Sequence, residues 1–244
     1  MACDYCCARS SPRAAPRRLG VETARRACEE FAGLGGQELL LTGGEPFLDP
    51  DLGLLIEAAA RWAPVTILTN AMVLHRGSRR RTLEAFDPAR VTMQVSLDSG
   101  TAALHDRHRG AGAFDRARAG IALLGELGFR VRVAATVDEA DAAEEQGFHA
   151  LLDRDGIPPA DRLVRRVART GFAEHGVALT IDTLWPEPTL AADGAWWHPV
   201  AVADEAMLVA SVPLPLVTVL AVIRATLNDP ERDRSAALAA FRCT

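Results

Sequence analysis

Apolar residues along the first 140 positions alternate between two spacings. From Val21 to Leu34, Ala24, Ala27, Phe31 and Leu34 recur at helical intervals, and Gly35-Gly36 ends the run. Glu38 to Leu41 is a short apolar strand closed by Gly43-Gly44. Asp51 to Trp62 reads as a helix, and Val65 to Leu68 as a strand ending at Thr69-Asn70. A helix or irregular arm follows, with the charged run Arg79-Arg80-Arg81 on a solvated face. Val91 to Leu97 is a strand ending at Asp98-Ser99, Phe114 to Leu127 an amphipathic helix stopped by Gly128, and Arg130 to Val137 another strand.

Strands alternating with helices predict a parallel sheet wound by right-handed crossovers, either a barrel or an open doubly wound sheet. In such sheets the chemistry sits at the C-terminal ends of the strands. Gly43-Gly44-Glu45, Thr69-Asn70 and Asp98-Ser99 all fall there.

The later part has a different rhythm. Asp138 to Leu152 reads as a helix, Arg154 to Asp161 as a loop, and Leu163 to Ala173 as a strand or short helix. Gly176 to Ile181 reads as a strand. Asp193-Gly194 between apolar flanks, within Thr189 to Trp197, is a hairpin signal. A helix over Leu214 to Leu227 and a short amphipathic tail complete the chain.

Composition narrows the function class. The 244 residues are 49% hydrophobic and 24% charged, enough for one large α/β domain or one domain with a small appendage. A net charge of −5 gives no general attraction to nucleic acid or anionic lipid, so no partner of either kind is expected. All 27 basic residues are arginine, which reads as genome composition and not as mechanism. The longest apolar stretch, Met207 to Ile223, is interrupted by Pro213 and Pro215 and falls short of the roughly 20 residues of a membrane helix. It reads as a strand end or loop followed by a buried helix. Three of the five cysteines (Cys3, Cys6, Cys7, Cys28, Cys243) crowd into the first seven residues, which is no disulfide framework. A reducing cytoplasm is the expected compartment.

Taken alone, Cys3-Asp4-Tyr5-Cys6 fits a redox pair or half a zinc site as well as a cluster loop. Thr42-Gly43-Gly44-Glu45-Pro46 after the next strand changes that balance. Together the two motifs resemble the radical S-adenosylmethionine (SAM) superfamily, and the strand-end segments Ile67-Leu68-Thr69-Asn70, Ser96-Leu97-Asp98-Ser99 and His105-Asp106-Arg107-His108-Arg109-Gly110 agree with it. The resemblance covers Met1 to Val137 well and the remainder loosely.

The resemblance implies a partial (β/α)6 TIM-like barrel with its first strand missing, over residues 1–182, and a C-terminal hairpin and helix appendage over 183–244. It implies a [4Fe–4S] cluster held by a C-x3-C-x2-C triplet, with Cys3 and Cys6 as its last two ligands and Tyr5 at the aromatic place before the third. SAM bound there would be cleaved reductively to start hydrogen abstraction from a small-molecule or peptide substrate. The electrons would come from a reductant such as flavodoxin or ferredoxin. Gly43, Gly44, Glu45 and Pro46 would face the SAM amino group, where glycine permits close backbone approach. Ser96 and Asp98 would approach the SAM ribose, and Thr69 and Asn70 at the preceding strand end would belong to the same cofactor site. Arg109 would match the SAM carboxylate, or serve as a surface residue or a structural ion pair. Asp98 and Ser99 also suit a helix cap or turn. The hairpin resembles the start of an auxiliary-cluster extension without its cysteines, so no auxiliary cluster is expected.

The first cysteine of the triplet would fall two residues before Met1. One reading makes Met1 an interior residue of a longer protein. The other makes the chain a degenerate relative, a non-catalytic binding protein on the same fold. For the chain as written, weak or absent cluster binding is expected.

Overall fold

The structure, a computed structural model, describes residues 3–15 and 17–229. Its contacts group into two units: one contains Cys3 and residues 37–165, the other the described residues of 4–36 and 166–229.

The first unit is built on a five-stranded sheet in the order β1-β2-β3-β4-β5: β1 (Leu39–Leu41), β2 (Val65–Thr69), β3 (Val91–Ser96), β4 (Arg130–Val137) and β5 (Arg162–Arg166). The registers are parallel, with Leu39 opposite Val65, Val65 opposite Val91, and Met93 opposite Val131. Strand order follows chain order because each crossover carries a helix: α2 (Leu52–Ala60), α3 (Gly77–Glu84), α4 (Ala102–Arg109) with α5 (Ala113–Glu126), and α6 (Glu145–Arg154).

Period-two alternation sorts the side chains of this sheet. Val65, Ile67, Met93, Val95 and Val133 share one face by register and are fully buried. Burying each such side chain contributes about 1.5–3 kcal/mol. The buried Leu52, Ile56 and Ala59 of α2 and Ala117, Ile121 and Leu124 of α5 supply helical stripes at matching spacing. Thr66, Leu68, Gln94 and Arg132 share the other face. There Glu38 accepts from the Thr66 hydroxyl (2.5 Å) and from Arg132 (3.3 Å), so a residue next to β1 meets one on β4. Strands about 4.8 Å apart would leave these positions far apart on a flat sheet. The sheet is curled into a half-barrel.

The second unit contains α1 (Val21–Gly33), an antiparallel sheet of β6 (Thr189–Ala191), β7 (Gly194–Trp196) and β8 (Leu208–Ala210), and α7 (Leu216–Leu227). α1 packs on α7, and the Glu30 carboxylate accepts from the Leu216 amide (2.6 Å), a donor left open at a helix start. Trp197 is buried and donates its indole N–H to the Leu184 carbonyl (3.0 Å). Gly194 has φ +148, and a Cβ on it would lie 2.3 Å from the Ala210 oxygen, so the turn glycine also lets β8 approach.

The structure differs from the sequence reading in three places. Gly176 to Ile181 forms no strand: it contributes one isolated bridge, Ala168 to Val177. Gly176 sits at φ +112, and Thr180 and Thr183 bond to each other's backbone and hydroxyls, which turns the chain. The segment predicted as a helix from Asp138 begins as a 3-10 stretch, Glu139–Glu144, and becomes α6 only at Glu145. Helix α4 was not predicted, and the segment read as a strand end or loop from Met207 is strand β8. The amphipathic tail and Cys243 lie outside the described residues. No described helix is long and apolar enough to cross a membrane.

Candidate functional site

Parallel strands place their C-terminal ends on one edge of the sheet, and the motifs found in the sequence collect there. After β1 the chain runs through the exposed Thr42, Gly43 and Gly44. Gly43 has φ +150, a conformation costly for any L side chain, and no atom lies within 4 Å of where a Cβ would be. The space beside its Cα is therefore open.

Glu45 and the end of β2 form one cluster. The Glu45 carboxylate accepts from the Thr69 hydroxyl (2.8 Å), the Asn70 amide (2.8 Å) and the Phe47 amide (3.1 Å). It thereby ties the loop after β1 to the end of β2 and caps the 3-10 turn Pro46–Leu48. Pro46 is buried and has no N–H to satisfy at the first position of that turn. Thr69 and Asn70 continue the network, accepting from the amides of Ala71 (3.0 Å) and Met72 (2.9 Å). Burial pushes the Glu45 carboxyl above its ordinary value, against the hydrogen bonds from Asn70, Thr69 and Phe47 that favour its ionised form.

Asp98 and α4 form a second cluster. Arg109 donates to the Asp98 carboxylate through Nε and through a terminal nitrogen (3.0 Å), and the Thr136 amide at the end of β4 donates to it at 3.0 Å. The Asp98 side chain is 2% exposed and that of Arg109 10%. The Asp98 amide in turn donates to His105 Nδ1 (3.1 Å). Burial lowers the His105 pKa to about 4, the neighbouring Asp98 charge acting in the opposite direction. Ser99 accepts from the Thr101 amide (3.0 Å) at the start of α4, in the manner of a turn residue. Ser96 is half-buried at the end of β3.

The structure thus brings Glu45, Thr69 and Asn70 together, and Asp98 and Arg109 together. His105 and Thr136 join the second cluster without having been singled out for it. His105 belongs to a segment the sequence marked, whereas Thr136 contributes a backbone amide, which no side-chain pattern reveals.

The thiols lie in the N-terminal loop. Cys3, Cys6 and Cys7 form no disulfide and are half-buried. Cys6 Sγ accepts from the Ser10 amide (3.3 Å). Its carbonyl accepts from the amides of Arg9 and Phe172 (both 3.1 Å). Cys28 is buried in α1, and burial raises its thiol pKa, which suits an inert packing residue. Among the described residues no group of three or more His, Cys, Asp or Glu is placed to hold a metal ion. Cys3 and Cys6 are two thiolates where a site-differentiated cubane takes three. The described donor set does not fit a complete [4Fe–4S] cluster. The open space at Gly43 leaves room for a ligand to approach the loop after β1.

Known proteins share this sequence and fold in part. An AdoMet-dependent heme synthase from Oleidesulfovibrio alaskensis is 28% identical over 184 residues, covering 75% of this chain and 43% of the relative. A mycofactocin maturase MftC from Mycobacterium ulcerans is 30% identical over 158 residues, covering 64% and 42%. The chain spans less than half the length of these relatives. Among solved structures, SuiB of Streptococcus suis bound to S-adenosylmethionine superposes with a TM-score of 0.59 at 19% identity, over 74% of this chain and 41% of that one, a likeness of fold. The family model of the radical SAM superfamily, whose members use SAM with a [4Fe–4S] cluster, matches residues 1–140, more than half of the sequence, and the chain belongs to that superfamily.

Proposed function

We propose that this chain is the SAM-binding core of a radical SAM enzyme that starts hydrogen abstraction from a small-molecule or peptide substrate. The observation that supports it best is the pair of polar clusters, Glu45 with Thr69 and Asn70, and Asp98 with Arg109, at the C-terminal ends of adjacent parallel strands. On this reading the backbone at Gly43, Gly44 and Pro46 receives the SAM amino group, with Glu45 holding that loop in place. Thr69, Asn70, Ser96 and Asp98 receive the nucleoside, and Arg109 orients Asp98. Cys3 and Cys6 are the cluster ligands this chain supplies, and a cluster completed by a further ligand would supply the reducing chemistry for SAM cleavage. A flavodoxin or ferredoxin would supply the electron. Residues 1–182 act as the core domain, and residues 183–244 as an extension without auxiliary-cluster cysteines.

A second reading is a non-catalytic binding protein on the same fold that holds no cluster. One experiment separates the two. SAM affinity is measured by equilibrium dialysis, and 5′-deoxyadenosine release is followed after anaerobic reconstitution with iron, sulfide and dithionite. SAM binding with 5′-deoxyadenosine release supports the enzyme. Binding with no release and substoichiometric iron supports the binding protein. No binding of SAM sinks both.

A further inference from the structure

Helix α4 has one fully buried residue, and it is a histidine. His105 is completely inaccessible. Its Nδ1 accepts from the Asp98 amide, which fixes the proton of the neutral ring on Nε2. Nε2 is itself buried and has no hydrogen-bond partner. The ring stands edge-on to Phe114, centroids 5.9 Å apart at 66°. Buried polar atoms without partners are uncommon and ask for an explanation. A leucine would fill this apolar position with no orphaned donor. What leucine cannot supply is an acceptor for the Asp98 amide.

Arg109 lies four residues after His105, on the same face of α4. One helix face therefore holds both halves of Asp98: His105 takes the main-chain N–H and Arg109 the carboxylate. Asp106, between them, ties the far end of the helix by accepting from the amides of Gly112 (2.6 Å) and Phe114 (2.8 Å). The Thr136 amide completes the grip from β4. The chain after β3 would otherwise be a free loop end.

We propose that His105 is a positioning residue for the nucleoside part of the site. Acting through Nδ1, it fixes the Asp98 backbone, so that the carboxylate is presented in one orientation before ligand arrives. This rests on the reading of Asp98 as part of the SAM site. His105 acts through Asp98 and touches no ligand.

The geometry gives a test with a built-in rescue. Asparagine carries an acceptor oxygen at nearly the place of Nδ1, whereas the amide of glutamine falls near Nε2. His105→Asn should keep the bond to the Asp98 amide, and His105→Gln and His105→Leu should lose it. Two quantities are measured on the whole chain: hydrogen-exchange protection of the Asp98 amide without ligand, and SAM affinity by equilibrium dialysis. Loss of one such bond should speed Asp98 exchange and weaken SAM binding by about tenfold in the glutamine and leucine variants, with the asparagine variant within about twofold of wild type. If leucine leaves both quantities unchanged, or asparagine is as impaired as glutamine, the positioning role is overturned. Should leucine prevent folding, the asparagine–glutamine contrast decides. Should the wild-type chain bind no SAM, the functional reading falls, and Asp98 exchange still upholds or overturns the hold of His105 on Asp98.

Discussion

Arg109 grips the Asp98 carboxylate side-on, Nε to one oxygen and a terminal nitrogen to the other at 3.0 Å, with both side chains almost wholly out of solvent. The two residues are eleven positions apart, and the bond pins α4 to the end of β3. Removing one partner of a buried pair leaves the other charge uncompensated, which costs about 3–5 kcal/mol. Arg109→Ala should lose that much in urea unfolding. Arg109→Lys should recover only part of it, because an ammonium cannot match the two-point geometry. A loss below about 1 kcal/mol in the alanine variant would mean that the pair is screened by water, as exposed pairs are.

Glu45 makes a different prediction, since its partners are neutral donors. In Glu45→Gln one oxygen can still accept from Thr69 and Phe47, but the new NH2 faces the Asn70 amide, donor against donor. In Glu45→Ala three donors lose their acceptor. Each buried donor left unsatisfied costs about 1–3 kcal/mol. Alanine should therefore destabilise the unit more than glutamine, and both should release the loop carrying Gly43 and Gly44. Limited proteolysis at that loop is the direct readout, and equal resistance in wild type and alanine variant would contradict it.

The amount of this site legible in the sequence depended on the kind of interaction. Strand β4 came out at its full extent, Arg130–Val137, because Val131, Val133, Ala135 and Val137 alternate cleanly. The hairpin around Asp193-Gly194 was likewise visible, and the apolar run Leu190 with Ala195 and Trp196 set its register. Helix α4 was missed because Ala102–Arg109 buries one residue, a histidine, and so carries no apolar stripe. Gly176 to Ile181 misled for the opposite reason: three apolar residues in a row signal a strand, yet Gly176 and the Thr180–Thr183 turn dictate the path. The motif residues were marked by their place at predicted strand ends and by resemblance, which indicated where ligand chemistry belongs. It could not show that Glu45 and Asp98 spend hydrogen bonds on their own neighbours. Those partners come from β2, β4 and α4, and backbone amides such as those of Asn70 and Thr136 leave no trace in side-chain pattern.

The buried His105 gives the protein an acid-sensitive limb of defined sign. The unfolded chain binds a proton at the ordinary value of 6.5, and the folded chain only near pH 4. Between these values the unfolded state holds more protons, so stability falls as pH drops from about 6.5 towards 4, by up to about 3 kcal/mol. Asp106, whose pKa is lowered first by the Phe114 amide, loses its own contribution as pH falls further, in the same direction. Glu45, raised by burial, acts oppositely: it favours the folded state at low pH and loses that contribution as pH rises through its folded value. Urea unfolding at pH 7, 5.5 and 4.5 should show the decline in wild type and a shallower one in His105→Asn, which has no proton to take up. Parallel slopes in the two proteins would assign the acid sensitivity to other groups.

Gly171 tests whether the cysteine loop is held by the chain that follows β5. It has φ +66, and a Cβ there would lie 2.2 Å from the Cys6 carbonyl oxygen and 2.5 Å from that of Cys7. The next residue, Phe172, donates its amide to the same Cys6 oxygen (3.1 Å), and Arg9 returns a bond to the Gly171 carbonyl (3.2 Å). Gly171→Ala must therefore move one segment off the other and break the Phe172 bond. Left-handed backbone strain and overpacking together predict a loss of about 2–4 kcal/mol. Gly156 supplies the control, since it has φ +73 with open space where a Cβ would lie. Gly156→Ala should carry the backbone cost alone, about 1–2 kcal/mol. Alkylation of Cys6 by iodoacetamide should accelerate in Gly171→Ala and remain at the wild-type rate in Gly156→Ala. Equal rates in all three proteins would show that the Cys6 loop is set without Gly171.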